Sequence, residues 1–375
     1  MTDGACDRTI RPGFPHSVHM KRLAGLLLLL PVLATAATSP GSCAPRDLAA
    51  ERAMDDFALA IAARTAAGND ARAMVMASEW LRNVDALREP GKSLEADRLL
   101  TRAAELAGPD PVAWRMIARG CGKDCAITPE PHARWLALDA DNAAAWSEEL
   151  LRALAVADEV GARDALSRAA RAPRFDWYWV ESIRAALLVA RAEPAPPEVG
   201  RMAEEEGFPA RDAADLYGLG VAMSQALPAL MPLVEACATQ VEWRDDCLRL
   251  AQTMEQRSDS QLARTVGRWI GRRLLSADSP EGRALAAREL RYQWQAFQVS
   301  RVPLPDDVPL ALQRLLTTGS EPLAFELQLR EAGISLDPPP GWTVEDARAA
   351  LARRATAVDP EAPGDCETRS DPSKP

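Results

Sequence analysis

Two tryptophans, Trp80 and Trp114, stand 34 residues apart, and the positions between them follow the order of a two-helix repeat. With Trp80 as the fourth position of such a unit, Gly91 falls at the turn between the helices, where a residue without Cβ is useful. Ala96 falls where the two helices touch, Leu100 and Ala103 continue the inner face of the second helix, and Pro109 stands just past its end. A further unit opens at Asp139-Ala140-Asp141-Asn142 and runs into Trp146, 32 residues after Trp114. Its small contact positions are Ala162 and Ala169 and its large one Leu166. The middle unit is thus two residues short, and its second helix, Glu130 to Leu138, is expected to be clipped. A single helix pair is too thin to bury its own apolar face, so such units have to stack on neighbours. The spacing predicts an all-α chain of stacked helical hairpins.

Over about residues 71–175 these positions resemble the tetratricopeptide repeat, whose inter-repeat linker is similar to Asp139-Ala140-Asp141-Asn142 with Ala140 in place of a proline. The resemblance implies a right-handed solenoid whose concave groove holds a peptide or an extended protein segment. Trp146, Arg152, Trp177, Tyr178, Trp179 and Arg184 are the candidates for that groove. On a helix, the successive rings of Trp177-Tyr178-Trp179 point about 100° apart, so they do not all enter one core. Beyond Phe175 the repeat fades, and Val180, not Trp, stands 34 residues after Trp146. Helical periodicity nevertheless continues to Thr356, and no stretch alternates in the two-residue manner of a strand. The expected organisation is regular repeats over 47–191, a proline-rich break at 192–197, and a degenerate helical extension or a separate bundle over 198–357. A disordered Pro-, Asp- and Ser-rich tail over 358–375 completes it.

The start of the chain bears on compartment. Met20-Lys21-Arg22 is a short basic segment, Leu23 to Leu33 is apolar, and Ala34-Thr35-Ala36 offers small residues at a cleavage position. We read 1–36 as a signal-peptide region cleaved after Ala36, with translation expected to begin at Met20, and 37–46 as a linker. An apolar run of eleven residues is well short of the ~20 needed to span a bilayer. Pro40-Gly41-Ser42-Cys43 resembles the lipid-attachment site of bacterial lipoproteins, with Pro40 where that site carries Leu, so a membrane anchor at Cys43 stands as the alternative to a secreted or periplasmic protein. The chain as a whole is similar to exported Ala- and Arg-rich helical proteins of proteobacteria, which implies export and names no activity.

Cleavage would leave six cysteines and a formal charge of −12, because the leader carries four basic and two acidic residues of a chain at −10. An acidic exported chain has no electrostatic footprint for nucleic acid, and an even cysteine count suits disulfides. Cys237 and Cys247 flank a helix-hairpin turn and are expected to pair, stabilising by roughly 2–3 kcal/mol. Cys121 and Cys125 are expected to form a second, short bridge, with a metal site or redox chemistry as the alternatives.

Catalytic signals are sparse. After residue 36 the only histidine is His132, directly after Pro131 at a helix start, which leaves little for a His-activated nucleophile. Glu181-Ser182 resembles the Glu-Ser pair of lytic transglycosylases, but the partner motifs of that family are missing downstream. Glu204-Glu205-Glu206 reads as a solvated helix end. Gly218-Leu219-Gly220 follows no strand and is no phosphate loop. No cofactor or metal is therefore expected. The reading is a non-enzymatic scaffold that binds protein or peptide in the cell envelope. A carboxylate-dependent glycan-cleaving enzyme and a structural assembly subunit are the alternatives.

Overall fold

The structure, a computed structural model, describes residues 48–85, 93–121, 127–205, 208–224, 230–301 and 308–357. The leader with Ala36, the linker with Cys43, Gly91, Cys125, Glu206, Cys366 and the 358–375 tail lie outside the described residues. Within them the regular structure is helical, with two isolated bridges and no strand. The helices are α1 Leu48–Ala66, α2 Ala71–Asp85, α3 Ser93–Leu106, α4 Pro111–Gly120, α5 Pro131–Leu138 and α6 Ala143–Ala155. There follow α7 Glu159–Arg171, α8 Trp179–Ala190, α9 Pro197–Glu205, α10 Ala213–Ser224, α11 Met231–Thr239 and α12 Arg244–Arg257. The last are α13 Gln261–Leu274, α14 Pro280–Val299, α15 Val308–Thr318, α16 Glu321–Glu331 and α17 Val344–Ala357. None is long and apolar enough to cross a membrane.

Successive helices pair: α2 with α3, α4 with α5, α6 with α7, and α12 with α13. Ala96, Ala103, Ala162 and Ala169 are fully buried, as residues at close helix contacts have to be. α5 has only eight residues, the clipped helix that the short middle unit implied. Trp114 and Trp146 are equivalent. Each is the fourth residue of its helix, and each indole Nε1–H donates to the carbonyl oxygen six residues earlier, of Gly108 and of Ala140, at 2.9 Å. Trp80 is not their equivalent. It is the tenth residue of α2 and packs against Phe57 and Tyr217, with ring centroids 6.1 and 5.2 Å away. The 34-residue spacing therefore joins unlike positions, and the first helices of the pairs begin at Ala71, Pro111, Ala143 and Trp179, at unequal intervals of 40, 32 and 36 residues.

The larger departure is α8. Rather than open a fourth pair beyond α7, it packs on α2 and α1, more than a hundred residues earlier in the chain, and on α10 and α15. Its sequence allows this because it is apolar nearly all round: Val180, Ile183, Ala186, Leu187, Val189 and Ala190 are buried. Gly218 of α10 permits a close approach, since a Cβ there would lie 3.0 Å from the Ala190 Cβ. α11 covers α6 and α13 in the same way, and the Cys237–Cys247 disulfide ties it to α12. The main core runs without interruption from Phe57 to Leu312, across the proline-rich 192–197 segment.

α7 and α12 lie side by side, and their C-terminal ends meet through a parallel bridge between Phe175 and Ser258. The molecule thus has two edges. One carries hairpin tips, including 156–158 and 240–243; the other gathers the turns 139–142, 172–178 and 258–260.

Candidate functional site

Two polar networks sit on the turn-gathering edge. The first is saturated. Asp139, fully buried, accepts from Trp135 Nε1 at 2.9 Å, Asn142 Nδ2 at 2.8 Å, the Tyr178 hydroxyl at 3.0 Å, and the Arg174 guanidinium. Asn142 also donates to the Asp176 carbonyl at 2.8 Å, and its Oδ1 accepts from Ala144 N and Asp176 N. Burial by itself would lower the Arg174 pKa, but bonds to Asp141 and Tyr178 outweigh it and hold the guanidinium firmly charged. Tyr178 adopts φ 55°, a left-handed conformation that costs a bulky residue about 1–3 kcal/mol. Its amide is fixed by Asp176 Oδ1 at 2.6 Å and its hydroxyl by Asp139.

The second network is not saturated. Asp259, in the turn between α12 and α13, accepts from Trp177 N at 3.4 Å and Trp179 N at 3.3 Å, and its carboxyl shares a hydrogen bond with that of Asp176. Burial, and then the neighbouring Asp176, push Asp259 well above the ordinary carboxyl range, so the pair shares a proton. Glu321, the first residue of α16, accepts from Gln261 N at 2.9 Å, while its own N–H donates to the Asp259 carbonyl at 2.9 Å. Burial raises it to about 7 against that hydrogen bond. The Trp179 indole lies beside the Glu321 carboxylate but is not aligned to donate to it. Arg115 of α4 is only 4% exposed and faces the pair. Its hydrogen bond among the described residues is a long one, from Nη1 to Ser182 Oγ at 3.5 Å, and Nε has no partner. Burial, and then the like charge of Arg119, lower it to about 10, while Glu148, Asp259 and Asp176 hold it up.

The six residues expected to line a groove are not brought together in one. Trp177 is buried edge-on against Phe175, at 5.2 Å between centroids. Only Trp179 of the aromatic triplet is helical, so helical spacing does not govern where the three rings point. Trp146 is half-buried under Arg168, whose guanidinium lies 4.8 Å from the ring. Arg152 and Arg184 stay about half exposed, Arg152 bonded to Glu130 at 3.2 Å and Arg184 to the Leu316 carbonyl at 2.9 Å. The faces of α2 and α6 on which a groove would open are covered by α8 and α11. Glu181 lies between Arg72 at 3.4 Å and Arg184 at 3.3 Å. His132 is buried, with Nε2 3.1 Å from Glu149 Oε2 but outside hydrogen-bonding geometry. Cys121 is disulfide-bonded.

Asp176, Asp259 and Glu321 were not picked out from sequence. Each looks like an ordinary acid at a helix start, and their meeting is a tertiary fact. Elsewhere a cleft of about 400 Å³ lies beside the proline-rich segment, where Arg191 grips Asp215 through bonds of 2.6 and 2.7 Å. Among the described residues no group of three or more His, Cys, Asp and Glu is arranged to hold a metal ion. Compared with family models, with curated proteins and with solved structures, the chain finds no match.

Proposed function

We propose that this chain is an exported, tetratricopeptide-like helical-repeat protein that binds a protein or peptide partner in the cell envelope without covalent chemistry. The paired helices α2–α3, α4–α5 and α6–α7 support the repeat reading. The disulfide suits an oxidising compartment. The observation that carries the binding reading is the edge of hairpin tips. Val156, Val160 and Val241 are 76, 82 and 82% exposed there, apolar side chains left in water on two neighbouring tips. The contact surface is therefore moved from the concave face to this edge. The test is crosslinking of the tagged full chain in envelope fractions. The double variant Val160→Glu, Val241→Glu is expected to keep its melting temperature and lose the crosslinked partner; a partner retained at wild-type yield defeats the assignment.

The enzyme reading has one observation in its favour, a partly exposed carboxyl pair sharing a proton. Glycosidase carboxyls, however, stand about 5–9.5 Å apart to admit a sugar and water, whereas Asp176 and Asp259 are in direct contact. Release of muropeptides from purified peptidoglycan, abolished by Glu181→Gln, would move the assignment to an enzyme. Co-migration with a large complex and no separable partner would move it to a structural subunit.

A further inference from the structure

The unsaturated network joins three segments that are far apart in sequence. Asp176 belongs to the loop before α8, Asp259 to the turn between α12 and α13, and Glu321 to the first turn of α16. The joints are direct: Asp259 holds the 177 and 179 amides, the Glu321 amide donates to the Asp259 carbonyl, and the Glu321 carboxylate holds the Gln261 amide. We propose that Asp176, Asp259 and Glu321 form a proton-dependent clasp: while the cluster keeps its protons, α15 and α16 stay seated on the turn between α12 and α13, and its full ionisation lets them go.

The charge inventory favours this. Around the three acids stand Arg115 from α4, Arg264 from α13 and the Tyr292 phenol from α14. Arg115 and Arg264 are themselves pulled down by burial, a sign that neither charge is fully compensated nor well solvated. Two strained cations facing one shared-proton pair and one further acid can balance two negative charges and no more. A third negative charge at this contact has no water to screen it, and separating the segments relieves the repulsion. Few other bonds oppose release. On the α8 side the tie to α15 is the Arg184 bond to the Leu316 carbonyl, at the surface.

The sign follows from linkage. Glu321 is raised in the closed state, to about 7, so its contribution is fully present below the ordinary carboxyl value and is lost as pH rises through about 7. Between pH 5 and 9 this one group is expected to shift the opening equilibrium by roughly 50–100-fold.

Hydrogen–deuterium exchange of the full chain at pH 5, 7 and 9, corrected for the intrinsic rate, tests this. Peptides from α15 and α16 should lose protection by that factor, with α2 and α3 unchanged, and Glu321→Gln should flatten the dependence. Protection of α15 and α16 that is constant with pH in the wild type overturns the clasp. So does a dependence that survives in Glu321→Gln or, should that variant not fold, in Asp259→Asn.

Discussion

Asn142 uses its whole hydrogen-bonding capacity inside the protein: two bonds given by Nδ2, two taken by Oδ1. Asn142→Ala would leave the Asp176 amide and carbonyl unmet and take one donor from buried Asp139. A loss of about 3 kcal/mol or more in urea denaturation is expected; a cost under about 1 kcal/mol would mean that water replaces the side chain at no penalty. His132 makes a prediction of opposite pH sign to the acid clasp. Burial, and then the charge of Arg152, hold its imidazole below the ordinary value, with Glu148, Glu149 and Glu130 opposing. Stability from this residue is therefore present above about pH 6.5 and lost as pH falls below it. His132→Phe, which keeps an aromatic ring beside Trp135, should make the urea midpoint less sensitive to pH between 7 and 5. A variant as acid-sensitive as wild type would place that sensitivity elsewhere. Individual residues of this kind were only half legible in the sequence. Asn142 showed as part of a linker and His132 as the lone histidine, but neither revealed what surrounds it.

Elements were easier to read than their partners. α3 and α14 run between the residues the sequence marked, Ser93 to Leu106 and Pro280 to Val299, because the caps at their starts and the breaks at their ends are local chemistry. The pairing of Cys237 with Cys247 was legible for the same reason: ten residues across a hairpin turn leave little choice. The course of α8 was not legible. A helix apolar on every side states that it is buried and says nothing about which helices bury it. The α12–α13 contact shows how specific that choice becomes. A Cβ on Gly267 would lie 2.6 Å from the Ala251 carbonyl oxygen and 2.8 Å from the Glu255 nitrogen, both backbone atoms that cannot yield alone. Gly267→Ala should therefore destabilise by about 1–3 kcal/mol despite the better helix propensity of alanine. Thermal melts decide the sign, and an unchanged or higher midpoint would show that the two helices have room to separate.

At the scale of the molecule, the return of α8 separates this architecture from an open stack. In a linear solenoid each unit touches only its neighbours, so a fragment of several units folds and the array melts in parts. Here α8 is buried between α2 on one side and α10 and α15 on the other, and Arg257 reaches across to the Pro173 carbonyl at 2.7 Å. Cutting the chain in the 192–197 segment would strip the apolar face of α8 of α10 and α15 and the ends of α7 of α12. The fragment 37–196 should therefore keep helical circular dichroism but lose a sharp urea transition and bind hydrophobic dye, while the full chain unfolds in one step. Should the fragment unfold cooperatively, with a denaturant slope in proportion to its size, the repeats would be self-sufficient and the contacts of α8 with the later helices would be accessory. The same experiment bears on the valine edge. Val156 and Val160 lie within the fragment and Val241 outside it, so partner capture by a well-folded fragment would assign the contact to the α6–α7 tip alone.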